Sequence, residues 1–564
     1  MTSPNHGNLA FNWTTTFFRK LQQLGVQHLV ISPGSRSTPL TLAAAANDHF
    51  QKHVILDERS AAFTALGIGK ATDTPAVLIC TSGTALANYY PAVIEACQSG
   101  IPMILATADR PPNRRATGAN QAIDQLKIFG DYPVFFHEVG EPRDSEEDIS
   151  RLKIVAQQAF EFSKTKRGPV HLNFPFRKPL EPGIEFLQKI QDQNREPATS
   201  DEALYKETQH LPDQAIEKIS EAQKPLIVVG PLAPGDDTHS IKKLATQLNC
   251  PVLIESTIDS VQVIKRFSGF LRNEHLISNL EPDLILRFGF QPTSKAIELG
   301  LNHWSPDNHY HFSSTDSWQD ETFSGATHIP WYGRSISTAA FQLDRSDQWI
   351  NKWKEVASKY QEYVDDHITN ENTLTDGHIY HHLSPQITAE QFITVSNSFP
   401  ARDINLFGKQ PSSAPLFLNR GASGIDGLTS TALGISMSLN KAGVLFTGDL
   451  AFLHDSNALL NQQKIEHPLV IVVINNSGGS IFRMLPVERH EKYFEDYFET
   501  PQNADIKTLA AAHDIPCHTI DSLSSLHDFN LSEWMQINSG LSVVECKTDA
   551  DASMKLRKKL WDYS

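Results

Sequence analysis

A chain of 564 residues has the length for about three or four domains, each with its own core, so it is neither a peptide nor a small binding module. Apolar residues make up 40% and charged residues 20%, which excludes a disordered chain, and a formal charge of -16 excludes a main role on nucleic-acid backbone. The 5 cysteines (Cys80, Cys97, Cys250, Cys517 and Cys546) are scattered without metal-ligand spacing and read as reduced thiols of a cytoplasmic protein.

Met1 to Asn12 lacks a basic region followed by an apolar run, and no segment approaches about 18 uninterrupted apolar residues, so neither export nor a membrane span is expected. Peripheral attachment stays open. Trp13, Phe17, Phe18 and Leu21 recur at helical spacing before Gly25. A strand at 28–31 follows, then the loop Ser32-Pro-Gly-Ser-Arg-Ser37, a helix near 39–49, a short strand before Asp57-Glu58, a helix over 60–70 and a strand at 76–80. This rhythm of strand and helix, with Ser, Gly and Arg in the loops, predicts an open parallel sheet whose last strand in chain order is 169–174. Residues 184–220 read mostly as connector, with a helix near 211–222. A second α/β unit has strands at 225–230, 251–254 and 283–287 and is expected to end near Trp353, before a polar helix reaching His367. The third has strands at 391–395, 442–446, 469–474 and 542–545. The fold class is therefore α/β, with three domains over 1–185, 186–355 and 356–564 and open, mainly parallel sheets.

Two strand ends in the third unit carry the most chemistry. Gly448-Asp449 and Asn475-Asn476-Ser-Gly-Gly479 each follow a buried strand, and in a parallel sheet both lie on the ligand-binding edge. A carboxylate from Asp449, an amide oxygen from Asn476 and the peptide carbonyl of Gly478 make a hard oxygen set suited to Mg²⁺ (or Mn²⁺), with phosphate or water completing the shell. Each segment alone is also ordinary turn chemistry. Together they resemble the thiamine diphosphate motif, with Leu450 standing where that motif has glycine.

Further blocks, in order along the chain, are Ser32-Pro-Gly-Ser-Arg-Ser-Thr-Pro39, Thr81-Ser-Gly-Thr-Ala85, Thr107-Ala-Asp-Arg-Pro-Pro112, Gly118-Ala-Asn-Gln-Ala122 and Asn419-Arg-Gly-Ala-Ser-Gly-Ile-Asp-Gly427. With the asparagine pair they resemble one family closely: the 2-succinyl-5-enolpyruvyl-6-hydroxy-3-cyclohexene-1-carboxylate synthases of menaquinone biosynthesis. The resemblance covers the first and third units and is weakest in the middle.

It implies decarboxylation of 2-oxoglutarate on thiamine diphosphate and addition of the succinyl unit to isochorismate. It also implies a pyrimidine-binding first domain, a diphosphate- and metal-binding third domain, and no flavin in the second. Glu58 would be the catalytic carboxylate that holds a proton of the cofactor's aminopyrimidine; by itself, Asp-Glu-Arg before a helix is also a plain acidic helix start. Ser35, Arg36, Arg110, Gln121 and Lys295 would bind isochorismate, although Ala296 stands where the family often has arginine. Arg402 and Arg420 would hold the distal carboxylate derived from 2-oxoglutarate, a pairing the forked guanidinium suits. Ser398, Ile425 and Phe482 would contact the cofactor, Ile425 as the apolar prop under its bend.

In this superfamily Glu58 and Asp449 would meet across a subunit interface, so a homodimer or homotetramer is expected. Two other readings stay open from the residues: another thiamine diphosphate decarboxylase or carboligase such as acetolactate synthase, and a non-catalytic metabolite-binding protein. The first leaves the arginine loops without a reason; the second would release no CO2.

Overall fold

The computed structural model describes residues 6–193, 208–255, 257–258, 260–315, 319–331, 334–336, 346–409 and 414–563. Part of the connector expected at 184–220 lies outside the described residues, as do the first five residues of the N-terminal stretch.

Three large sheets carry the chain, and every strand pair in them is parallel. The first holds β1 (His28–Ile31), β2 (Gln51–Val54), β3 (Ala76–Cys80), β4 (Met103–Asp109), β5 (Phe135–Glu138) and β6 (Pro169–Pro175), in the order β2-β1-β3-β4-β6-β5. A short strand, β7 (Thr208–Gln209), precedes the second sheet of β8 (Pro225–Val229), β9 (Val252–Ile254), β10 (Leu284–Phe288), β11 (Asn308–Ser313) and β12 (Thr327–Pro330), ordered β12-β11-β10-β8-β9. After β13 (Ser335–Ile336), which pairs with β7, come β14 (Phe392–Val395), β15 (Leu416–Leu418), β16 (Gly443–Gly448), β17 (Leu469–Asn475), β18 (Cys517–Ile520) and β19 (Leu541–Lys547), ordered β15-β14-β16-β17-β19-β18.

Inner strands such as β3 and β8 are uninterrupted apolar runs because both faces of each sheet are covered, while β6 carries His171 and Asn173 and β10 carries Arg287 among their apolar residues. In β3, Val77 and Ile79 enter one core while Ala76, Leu78 and Cys80 enter the other, the two-residue period of a strand. In β8, Leu226 and Val228 face one core, Ile227 and Val229 another. The chain groups into two compact units, one of residues 1–204 with 421–439 and one of 205–420 with 440–564. In the first unit, helices Glu58–Thr72 and Leu428–Leu439 are buried along most of their length and cross at small residues. A Cβ on Gly67 would overlap the Thr431 carbonyl, and one on Gly434 would overlap that of Thr64. In the second unit, helix Gln348–Thr369 starts before the end expected near Trp353: Trp353 packs on Phe270 and Trp304, and Trp349 packs on Trp353. Among the described residues, no helix is long and apolar enough to cross a membrane.

The first sheet also predicts acid sensitivity. His171 in β6 is fully buried with Thr107 Oγ1 2.8 Å from its Nε2, and burial pushes its pKa down to about 3. In the unfolded chain the imidazole titrates near 6.5, so between these values the unfolded state binds the extra proton. Stability is therefore complete above about pH 6.5 and falls as the pH drops toward 3. His171→Gln is expected to flatten the dependence of urea-unfolding free energy on pH between about 6.5 and 4 by close to one proton.

Candidate active site

In the first unit, parallel strands bring the predicted residues to one edge. Ser35 and Arg36 follow β1, Ser82 follows β3, Arg110 follows β4, and Glu58 opens the helix after β2. The β1 and β3 loops touch: Arg36 N donates to Thr81 Oγ1 at 3.1 Å, and a Cβ on Gly34 would overlap Thr81. Ser35 is exposed, whereas Arg36 is buried with Nη1 donating to the Phe176 carbonyl at 2.8 Å. Arg110 Nη2 donates to Asn120 O at 2.7 Å. Gln121, at φ 55°, donates from Nε2 to Ser82 O at 2.9 Å and accepts Ser82 Oγ on its carbonyl at 3.0 Å. Among the described residues, nothing accepts from Nε of Arg36 or Arg110. Beneath them Asp109, fully buried, accepts from Arg110 N at 2.6 Å, Arg115 Nη2 at 3.0 Å and Asn173 Nδ2 at 2.9 Å. Sequence reasoning missed this support; its signal is a carboxylate ending a strand that is otherwise apolar but for Thr107.

The acidic helix start divides its labour. Asp57 is the cap, accepting from Arg59 N at 2.8 Å and Ser60 N at 3.2 Å, so the helix does not need Glu58 for that purpose. Burial raises the Glu58 carboxyl above its ordinary value, opposed by its own backbone amide and aided by Asp57. Ile425, 39% exposed, stands on a loop held by Glu95, which accepts from Gly421 N at 3.0 Å and Ala422 N at 2.7 Å.

In the second unit, Ser398 follows β14, Arg420 follows β15, Asp449 follows β16 and Asn476 follows β17, again on one edge. Ser398 has φ 73° and ψ -137°, a conformation that costs a non-glycine residue about 1–3 kcal/mol and is typical of functional sites. Its carbonyl accepts from Arg402 Nη1 at 2.7 Å. Arg420 Nη1 donates to Asn397 Oδ1 at 3.0 Å, and Asn397 Nδ2 donates to Asn419 O at 2.8 Å.

Buried Glu255, just past β9, lies within electrostatic reach of both arginines. It accepts from Thr293 N and Ser294 N, each at 2.6 Å, and so anchors the start of helix Lys295–Trp304. Lys295 itself pairs with Glu298 at 2.5 Å and is half exposed. Neither Glu255 nor Asn397 was predicted, although both stand at carboxyl ends of strands.

The register aligns Gly448 with Ile474, which sets Asp449 beside the start of the Asn475-Asn476 turn. Asp449 accepts from Leu450 N at 2.9 Å and Gly478 N at 2.8 Å, and burial pushes its pKa up to about 6. Asn475 donates to Glu545 of β19 at 2.8 Å, on the opposite side of β17 from β16. Asn476 is buried and donates through Nδ2 to Asp376 Oδ2 at 3.0 Å, which leaves its Oδ1 to accept. Ser477 at φ 64° and Gly478 at φ 123° turn the chain sharply, and a Cβ on Gly478 would overlap the Glu499 carbonyl. Gly478 O accepts Ser480 N at 2.9 Å and keeps a second lone pair.

Among the described residues, no three His, Cys, Asp or Glu side chains gather as a metal site. Asp449, Asn476 and Gly478 instead offer one carboxylate, one amide oxygen and one peptide carbonyl, which fits a hard cation whose other ligands are diphosphate oxygens. Phe482 packs edge-on against Phe498, with centroids 5.9 Å apart, so part of its ring serves the fold.

Residues 11–128 match the thiamine pyrophosphate enzyme N-terminal TPP binding domain, and residues 414–546 match the C-terminal TPP binding domain of such enzymes. The 2-succinyl-5-enolpyruvyl-6-hydroxy-3-cyclohexene-1-carboxylate synthase of Listeria innocua is 35% identical over 99% of this chain and 98% of its own length. The enzymes of that name from Geobacillus kaustophilus, 35% identical over 96% of each chain, and Haloquadratum walsbyi, 33% identical over 100% of this chain and 98% of its own, are similar throughout. The chain belongs to this synthase family. It is a thiamine diphosphate-dependent carboligase of the transferase class, and the match extends through the middle sheet, where the sequence blocks were least distinctive.

Proposed function

We propose that this synthase-family member decarboxylates 2-oxoglutarate and joins the succinyl unit to isochorismate, giving 2-succinyl-5-enolpyruvyl-6-hydroxy-3-cyclohexene-1-carboxylate and CO2 for menaquinone biosynthesis. The observation that carries this substrate choice is the arginine pair. Arg402 and Arg420 stand on the same sheet edge as Asp449 and Asn476, both braced by the loop after β14, Arg402 through Ser398 O and Arg420 through Asn397 Oδ1. Two braced guanidiniums suit the distal carboxylate of a dicarboxylic 2-oxo acid. A decarboxylase for pyruvate would give them nothing to hold.

Thiamine diphosphate, when bound, supplies the nucleophilic carbon and the electron sink that loss of CO2 requires. Glu58, with its raised pKa, holds and returns a proton at the cofactor's aminopyrimidine. Asp449, Asn476 Oδ1 and Gly478 O hold Mg²⁺ (or Mn²⁺), and through it the diphosphate. Ser398 and Phe482 border the cofactor, and Ile425 props it. Ser35, Arg36, Arg110 and Gln121 receive isochorismate, with Lys295 at the margin of that set.

We read each of the three sheets as the core of a domain, with boundaries near 185 and 355. The chain acts as a cytoplasmic homo-oligomer in which Glu58 and Asp449 come from different subunits. Exposed Val54 and Leu56, at 51% and 70%, support a covered surface at the strand and turn leading to Glu58.

The test incubates the protein with Mg²⁺, thiamine diphosphate and 2-oxoglutarate, with and without isochorismate, and follows CO2 and the adduct mass. The expected result is an adduct formed with isochorismate; turnover of pyruvate with none of 2-oxoglutarate overturns the assignment. Arg402→Ala and Arg420→Ala are each expected to raise KM for 2-oxoglutarate by about 10–100-fold, the worth of one charged hydrogen bond.

A further inference from the structure

A buried charge cluster stands against the residues read as the cation site, joined to them where Asn476 donates to Asp376. Arg557, Asp376 and Asp403 are all 1% exposed or less. Arg557 Nη2 bridges the two carboxylates, 2.5 Å from Asp376 Oδ2, while its Nε donates to Asp403 Oδ1 at 2.9 Å. Its guanidinium carbon lies 3.8 Å from the centroid of the Phe399 ring. Asp376 also accepts Thr548 Oγ1 on Oδ1 at 2.5 Å, and Oδ2 receives Asn476 Nδ2 at 3.0 Å. One carboxylate is thus held by a guanidinium and a hydroxyl and presents its remaining accepting capacity to the amide of a predicted cation ligand.

The consequence is geometric. An amide side chain has a donating and an accepting end that differ little in shape, and a cation tolerates only the oxygen. Both Asp376 oxygens act as acceptors, one from the Thr548 hydroxyl and one from the Arg557 guanidinium, so Asp376 selects the nitrogen of Asn476 and turns the amide oxygen the other way. The geometry points to Asp376 as the positioning residue of the cation site: held by Arg557 and Thr548, it fixes the orientation of the Asn476 amide. Asp403, by contrast, belongs to helix Phe399–Leu406 and touches Arg557 without touching Asn476. The two carboxylates therefore share a structural role in neutralising Arg557, but only Asp376 acts on the ligand. This inference rests on the cation-site reading above.

The test measures binding of Mn²⁺ to the full-length protein in the presence of thiamine diphosphate and without substrate, from the free-ion electron paramagnetic resonance signal, alongside the melting temperature. In Asp376→Ala no acceptor remains at the Oδ2 position that Arg557 and Asn476 share, so the Asn476 amide is free to turn its nitrogen toward the cation. Outer-shell partners of metal ligands are worth about 10–100-fold in affinity, and a loss of that size is expected. Asp403→Ala, which also removes one carboxylate partner of Arg557, is expected to keep wild-type Mn²⁺ affinity.

Equal affinity losses in the two variants, or no loss in Asp376→Ala, overturn the inference. Should Asp376→Ala not fold, Thr548→Val frees the other side of Asp376 and is expected to weaken Mn²⁺ severalfold; unchanged affinity there also overturns it. Wild-type protein that binds no Mn²⁺ with cofactor present overturns the cation-site reading itself, a result distinct from either variant outcome.

Discussion

Glu58→Gln is expected to lower turnover by about 10²–10⁴-fold while thiamine diphosphate still binds. Glutamine keeps the shape and a hydrogen bond but can neither hold nor release a proton at the cofactor. Structure separates this effect from a folding effect. The helix that begins at Glu58 is capped by Asp57, through Arg59 N and Ser60 N, so loss of the Glu58 charge leaves the cap in place. Asp57→Asn supplies the contrast: it weakens or preserves the cap within about 2 kcal/mol of stability without removing the proton carrier. Steady-state CO2 release, cofactor titration and thermal melting on both variants check the pair. Wild-type turnover in Glu58→Gln would remove the role assigned to this carboxylate.

Asp449→Ala should have the second large effect. It removes the single charged member of a donor set otherwise made of an amide and a peptide oxygen, and it also removes the acceptor of Leu450 N and Gly478 N. Outer-shell partners already change metal affinity by about 10–100-fold, so loss of the charged ligand should cost at least about 100-fold. In the proposed role a cation on Asp449 would tie the diphosphate to the protein, so cofactor affinity measured with Mg²⁺ should fall as well, and that measured with chelator should change little. Calorimetric titration of cofactor under both conditions distinguishes this from a general loss of fold. Equal cofactor affinity in variant and wild type with Mg²⁺ would exclude Asp449 from the site.

The predicted pieces differ in how far local sequence could carry them. Strands such as Ala76–Cys80 and Leu469–Asn475 were legible because strands covered on both faces become continuous apolar runs, which few other structures imitate. Edge strands Phe135–Glu138, Leu416–Leu418 and Cys517–Ile520 carry weaker patterns and were not anticipated. Helix Gln348–Thr369 starts earlier than expected because its buried tryptophans anchor it through distant rings, Trp353 on Phe270 and Trp304 with Trp349 against Trp353.

Sequence by itself determined the family, and it placed Asp449, Asn476 and Gly478 just after strand ends because short-range order suffices for that. Tertiary structure alone decided what supports each of them. Asp376 lies 100 positions before Asn476, Arg557 lies 81 after it, and Glu255 reaches Thr293 and Ser294 across another strand. Such partners leave no mark in a local pattern, since a buried charge is stabilised by whichever distant group the fold brings to it, and spacing along the chain does not encode that encounter.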